Sequence, residues 1–391
     1  MSDLREFDVI VFGASGFTGR LVAEYLAQHV EPGQAITWAM AGRNQAKLEQ
    51  VRAEMGIDDN VPIIVADTGD AASLEALAQR ASCVLTTVGP YQLYGTSLVA
   101  ACAKMGTAYV DLSGEPIWMH DMINAYGAQA KQSGARIVFS CGFDSIPFDL
   151  GVYALQKEAQ GEFGHPLSRV KCRVRSMNGE FSGGTAASLG ATMAALSEKP
   201  SLFNVLINPF CLTQSQTGPD QPAGDKVAYD EARDEWLAPF IMAPINTKNV
   251  HRSNDLLGHA YGADFVYDEM MVGGNGDAGK AVAEFMASHN PLEGDDVPQP
   301  GEGPSKESRE AGNYDILFLG EDAHGHTLSY VVTGDLDPGY GSTSKMIAQS
   351  AICLVRDCAD LPGGIYTPAP AMGQKLIDRL TKYAGLTFDR A

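Results

Sequence analysis

Three glycines, Gly13, Gly16 and Gly19, recur every third residue at the end of the apolar run Phe7-Asp-Val-Ile-Val-Phe12. A backbone without Cβ atoms lets N–H groups approach phosphate oxygens, and a helix starting there adds the positive end of its dipole. Gly13 then supplies the sharp exit from a strand, Gly16 the approach to a pyrophosphate, and Gly19 the close contact of helix and sheet. Ser15, Phe17 and Thr18 lie between them and belong to the same cradle. Leu21, Val22, Tyr25 and Leu26 give the following helix an apolar face. The spacing G-x-x-G-x-x-G is the variant common among NADP-using folds of the short-chain type, so a nicotinamide dinucleotide is the expected ligand.

The second β-rich run ends in Gly42-Arg43-Asn44, where an acidic residue would mark NAD. With Arg43 there instead, and Lys47 one helical turn on, a 2′-phosphate has two cations to meet, and NADP(H) is predicted. Asp67 ends the third run, placed either to bind the adenine amino group or to cap a helix. Thr87, Val88, Gly89 and Pro90 end the fourth, where small residues let the riboses lie against backbone, with Tyr91 and Tyr94 toward the nicotinamide. Two further loops, Asp111-Leu-Ser-Gly-Glu115 and Cys141-Gly-Phe-Asp-Ser-Ile-Pro147, offer Asp111, Ser113, Glu115, Asp144 and Ser145 as proton carriers or as turn and cap formers. Cys141 reads as a small buried residue.

These loops need a scaffold that brings them to one edge. Apolar runs near 7–12, 36–41, 62–66, 82–87, 107–112 and 136–141 alternate with helices beginning near Thr18, Asn44, Ala71, Gly95 and Ile117. That alternation predicts an α/β fold: an N-terminal Rossmann domain, a doubly wound parallel sheet, over 1–147. A second α+β domain with a mixed sheet is expected over 148–340, and a helical segment over 341–391 that returns to the first. Within the second, a strand near 168–178, helices near 185–198 and 277–288, and strands at 314–320 and 327–333 are predicted. Residues from about 199 to 250 read as irregular, and 291–312 as a solvent-exposed connection.

The chain has 48 acidic and 28 basic side chains in 391 residues, a net charge of -20, which argues against a nucleic-acid partner. Seven scattered cysteines with no C-x-x-C pair predict neither a disulfide framework nor a metal site. The polar N-terminus runs straight into the first strand and the apolar stretch 201–212 is short for a bilayer, so a cytoplasmic protein without a transmembrane segment is expected.

Taken together, Gly-Ala-Ser-Gly-Phe-Thr-Gly19, Ala41-Gly-Arg43, Val88-Gly-Pro-Tyr91, Asp111-Leu-Ser-Gly-Glu-Pro116, Gly142-Phe-Asp-Ser-Ile-Pro147, Asp149-Leu-Gly151, Ser182-Gly-Gly-Thr185 and Thr367-Pro-Ala-Pro-Ala-Met-Gly373 carry a resemblance. The chain resembles the saccharopine dehydrogenase-like oxidoreductases, in the bacterial branch that includes trans-acting enoyl reductases, over nearly its whole length. The resemblance implies a Rossmann domain binding a nicotinamide cofactor, a second domain with a mixed sheet facing it, and hydride transfer between them. It implies reduction of an enoyl or carbonyl group on a CoA- or carrier-linked acyl substrate, with Tyr91 as the first candidate acid and Asp144 the second.

Arg169-Val-Lys-Cys-Arg-Val-Arg175 sets four cations on one strand face, suited either to a phosphopantetheine, CoA or acidic carrier partner, or to neighbouring carboxylates. Two other functions fit the pattern: a non-catalytic nucleotide-binding protein touching lipid through Phe203–Phe210, and an amino-acid dehydrogenase related to saccharopine reductases. A second copy in a homodimer is a further expected partner.

Overall fold

The structure, a computed structural model, describes residues 5–28, 35–180, 183–289 and 301–391. Six strands form a parallel sheet: β1 (Phe7–Phe12), β2 (Trp38–Gly42), β3 (Ile63–Val65), β4 (Ala81–Thr86), β5 (Ala108–Val110) and β6 (Arg136–Val138). They lie in the order β6-β5-β4-β1-β2-β3, reversing at β1 and β4. Helices α1 (Phe17–Gln28), α2 (Gln45–Glu54), α3 (Ala71–Arg80), α4 (Tyr91–Tyr94), α5 (Thr96–Met105), α6 (Pro116–Ser133) and α7 (Ile146–Phe163) follow the strands. Val9, Ile10 and Val11 are fully buried, since layers cover both faces of the sheet, and this is why the strand reads as a continuous apolar run.

The second sheet is mixed, and the fold is α/β as expected. It contains β7 (Arg169–Asn178), β8 (Ala228–Asp230), β9 (Glu235–Pro239), β10 (Val266–Gly274), β11 (Asn313–Glu321) and β12 (Thr327–Gly334). Only β7 and β10 run parallel; the other pairs are antiparallel. Between them come α8 (Gly183–Glu198), α9 (Phe203–Ile207), α10 (Ala243–Leu256), α11 (Gly276–Ser288) and α12 (Lys306–Ala311). A π-helical turn, Pro338–Ser342, leads into α13 (Thr343–Arg356), β13 (Gly364–Tyr366), α14 (Pro368–Tyr383) and β14 (Leu386–Arg390). The C-terminal segment thus serves both sheets: β13 pairs with β6 and β14 with β12. Helix α13 buries Met346, Ile347, Ala351 and Ile352 in the core shared by the two sheets.

Two regions differ from expectation. The stretch 199–250 holds α9, β8, β9 and most of α10 rather than irregular chain. Helix α10 escaped notice because it buries Asn246, Lys248, Asn249, His251, Arg252, Ser253 and Asn254, so no apolar stripe marks it. Strand β10 was hidden in the same way by Asp268 and Glu269, both buried. The expected exposed connection at 291–312 lies outside the described residues up to 300. Its later part forms α12, which buries no residue and so stays at the surface as expected, while the turn ahead of it reaches inward: Pro304 is buried, and a Cβ on Gly303 would come within 2.4 Å of the Phe17 ring.

Candidate functional site

The turn from β1 into α1 is shaped by contacts that exclude side chains. Gly13 adopts φ +93, the left-handed region, and its N–H donates to the Ala41 carbonyl at 2.9 Å. A Cβ there would meet Val88 Cγ2 at 2.7 Å and Thr87 Oγ1 at 2.9 Å, and one on Gly19 would lie 2.1 Å from the Gly13 carbonyl oxygen. Gly13, Gly19, Thr87 and Val88 therefore converge, while Gly16 is exposed at the head of α1. A Cβ on Gly42 would stand 3.8 Å from Ser15 Oγ, which brings the end of β2 beside the glycine turn. Arg43 and Lys47 follow, both exposed, and Asn44 caps α2 by accepting from the Lys47 N–H at 3.0 Å.

Other predicted cofactor residues take more local roles. Asp67 is exposed and accepts from the Gly69 N–H at 2.8 Å, while Asp70 provides the cap of α3. The Phe17 ring is buried with Leu21 and Tyr340. Thr18 and Ser15 are half-buried beside it, and Gly89 and Pro90 lead into α4.

Tyr91, the first candidate acid, has its hydroxyl bonded on both sides. Its hydroxyl donates to the Thr86 carbonyl at 3.3 Å and accepts from the Leu112 N–H at 3.0 Å. The ring is buried against Trp118, and desolvation together with Asp111 holds its pKa well above the usual value.

Glu115 fixes the same loop, accepting from the Tyr91 and Gln92 N–H groups at 2.9 and 2.7 Å. Asp111 is buried and pushed up to about 6 by desolvation; it accepts from Ser113, the Ser140 N–H and the Tyr109 hydroxyl. It stitches together the loops after β5 and β6. Ser145 accepts from Asn249 at 2.6 Å.

Asp144 differs from all of these. It is half-buried, its carboxylate has no hydrogen-bond or ion-pair partner among the described residues, and desolvation pushes it up to about 6. The loop that carries it is held from beyond the first sheet, because the Phe143 N–H donates to Thr343 Oγ1 at 2.9 Å. Thr343 and Tyr340 carry no motif in the sequence, and only the return of the C-terminal segment places them here.

The cations of β7 resolve to the second of their two readings. Arg169 and Arg173 both pair with buried Asp268, the latter at 2.8 Å. Lys171 meets Glu321 at 3.0 Å and Arg175 meets Asp315 at 2.6 Å.

The model of the saccharopine dehydrogenase NADP binding domain matches residues 9–138, the span that holds the glycine turn and Arg43. A Mycobacterium tuberculosis protein provisionally named a trans-acting enoyl reductase is 40% identical across 96% of each chain. The trans-acting enoyl reductase of Mycobacterium ulcerans is 36% identical across the same shares. This chain belongs to the saccharopine dehydrogenase-like trans-acting enoyl reductase family. The fold also matches apo saccharopine dehydrogenase (L-Glu forming) of Saccharomyces cerevisiae, with a TM-score of 0.56 at 13% identity over 98% of this chain and 99% of that one.

This saccharopine dehydrogenase-like protein is an NADP-dependent oxidoreductase with NADP(H) as its cofactor. The turn fits that group: positions 13 and 19 admit no Cβ, Gly16 is open at the helix N-terminus, and two exposed cations stand next to it. In the first turn of α7, Asp149 accepts from the Ser253 hydroxyl at 2.5 Å and the Ala369 N–H at 2.8 Å. The Asp149-Leu-Gly and Thr367-Pro motifs therefore meet as a structural joint of α7, α10 and α14. Among the described residues no helix is long and apolar enough to cross a membrane.

Proposed function

We propose that this oxidoreductase reduces an enoyl or carbonyl group in an acyl chain carried on CoA or a carrier protein. The observation that carries this reading is the apolar side of α8 beside the Gly89–Gln92 loop. Ser188 of α8 lies 3.9 Å from where a Cβ on Gly89 would stand, and Gln92 donates to Thr192 at 3.1 Å. Yet α8 leaves Met193 59% exposed, with Leu93 of neighbouring α4 61% exposed. Exposed apolar side chains grouped at a reactive edge suit a hydrocarbon substrate. The family relatives named for enoyl reduction point the same way.

An amino-acid substrate would need free cations to hold its carboxylates, and the buried ones are engaged. Arg252 donates to the Leu212 and Ile365 carbonyls, Lys248 to the Pro244 carbonyl, and Arg173 to Asp268.

In this reading Gly13, Ser15, Gly16, Thr18 and Gly19 hold the pyrophosphate, Arg43 and Lys47 the 2′-phosphate, Asp67 the adenine, and Thr87–Pro90 the riboses. NADPH, when bound, supplies a hydride to the electron-poor carbon. Asp144 supplies the proton that the neighbouring carbon or oxygen must gain, from a carboxyl whose raised pKa keeps part of it protonated near neutrality. Glu115 positions the Tyr91–Gln92 backbone at the rim.

The test is NADPH consumption with enoyl-CoA thioesters of increasing chain length, with amino acids and 2-oxo acids as controls. Turnover that improves with chain length is expected, and Asp144→Asn should lower kcat by about 10²–10⁴ with NADPH affinity unchanged. Turnover confined to amino acids, or an undiminished kcat in Asp144→Asn, sinks the reading.

A further inference from the structure

Eight histidines are present in the chain, and three of them gather at one place remote from the cofactor edge. His165 lies in the connection between α7 and β7, whereas His324 and His326 lie with Asp322 in the turn joining β11 to β12. The ring centroids of His165 and His326 are 5.3 Å apart, and that of His324 lies 6.1 and 6.3 Å from them. His326 Nδ1 is 2.8 Å from Asp322 Oδ2, and His165 Nδ1 is 3.6 Å from the same oxygen. One donor atom from each of His165, Asp322 and His326 falls within 4.8 Å of the others.

We propose that His165, Asp322 and His326 bind one divalent transition-metal ion of the zinc class, with His324 as the nearest fourth donor. The absence of paired cysteines predicts no metal site, but this cluster uses none. Two or three imidazoles with one carboxylate form a donor set that zinc, cobalt, nickel and copper favour and that magnesium and calcium do not. Bonds of about 2.0–2.2 Å from a central ion require donors a little over 3 Å apart, within small side-chain movements of the separations seen.

The carboxylate is already oriented as a metal ligand would be. Asp322 Oδ1 accepts from the backbone N–H groups of His324 and His326 at 2.8 and 2.9 Å, leaving Oδ2 aimed at the imidazoles. Its side chain is only 5% exposed, whereas those of His165 and His326 are 38% and 44% exposed, so an ion has a way in. Phe163 stacks on the His326 ring at 4.7 Å and walls the site on one side.

The position argues for a structural role. Helix α7 runs 18 residues from the Asp144 loop to Phe163, about 27 Å at 1.5 Å per residue, so the ion is far from the reacting atoms. Bound there, it ties the β11–β12 turn to the α7–β7 connection across the end of the second sheet.

The experiment uses the full chain without an affinity tag, stripped with a chelator and then titrated with Co²⁺ by visible absorption and with Zn²⁺ by calorimetry. One equivalent should bind each chain, thermal stability should rise with metal, and Mg²⁺ should leave it unchanged. His326→Ala should weaken binding about tenfold or more, and His165→Ala with His326→Ala should abolish it. His259→Ala, at a separate surface position, should bind as the parent does, and unchanged NADPH affinity checks that each variant is folded. Absence of saturable one-equivalent binding, or equal binding by the double variant, overturns the proposal.

Discussion

The rings of Phe17 and Tyr340 meet edge to face, with centroids 5.1 Å apart and an interplanar angle of 80°. Phe17 opens α1 at the glycine turn, and Tyr340 sits in the π-helical turn that follows β12 of the second sheet. The cofactor cradle is therefore braced by a residue more than three hundred positions away. Tyr340→Ala should remove an aromatic pair worth about 0.5–1.5 kcal/mol beyond its apolar burial and open a cavity behind the cradle. Lower stability in chemical denaturation and weaker NADPH binding by fluorescence titration are expected together. Unchanged NADPH affinity would separate the brace from the cradle.

Arg43 is exposed at the end of β2, next to the glycine turn, where it can form charge-assisted hydrogen bonds with a phosphate. Such bonds contribute about 1.5–3 kcal/mol, so Arg43→Ala should weaken NADPH binding about tenfold to a hundredfold. NADH affinity should hardly change. Equal losses for the two cofactors would show that Arg43 does not read the 2′-phosphate.

Asp268 carries two arginines, Arg169 and Arg173, across the β7–β10 pairing. Asp268→Asn leaves buried cations without their counter-charge and should cost about 3–5 kcal/mol. By contrast Arg175→Gln, which breaks a more exposed pair with Asp315, should cost no more than about 1 kcal/mol. Urea unfolding of the two variants measures the difference.

The contribution of two buried carboxyls to stability should fall as pH rises from about 4 to about 8. Desolvation pushes Asp149 up to about 7 and Glu269 up to about 8, while in the unfolded chain both ionise near 4. In that window the folded state holds protons that the unfolded state has lost, so their stabilising contribution disappears as pH rises through the folded values. His251 acts oppositely below about 6.5, because burial lowers it to about 3 and only the unfolded chain takes up its proton. The two carboxyls outweigh the single histidine between about 4 and 6.5, so these groups should make melting temperature decline up to about pH 8, more steeply just above 6.5 where His251 no longer opposes them, and Glu269→Gln should flatten that decline. A melting temperature that rises steadily to pH 8.5 contradicts this account.

The first half of the chain was legible because its physics is local. The strand β1, the three glycines and Arg43 lie within one β–α–β stretch, and burial on both faces of a parallel sheet writes itself as continuous apolar runs. The oxidoreductase class and its cofactor follow from those residues and from the motifs spread along the chain. What only the tertiary structure decided depends on burial and distant partners. It buried Tyr91 with its hydroxyl bonded to Thr86 and Leu112, and left Asp144 with a desolvated carboxyl. It also revealed α10, whose Asn246, Arg252, Ser253 and Asn254 hydrogen-bond to neighbours that no periodicity encodes, and it paired the β7 cations with carboxylates from β10 and β11. Spacing along a chain reports which face a residue takes; whether that face meets water, a counter-charge or another element is set by chain return over hundreds of residues.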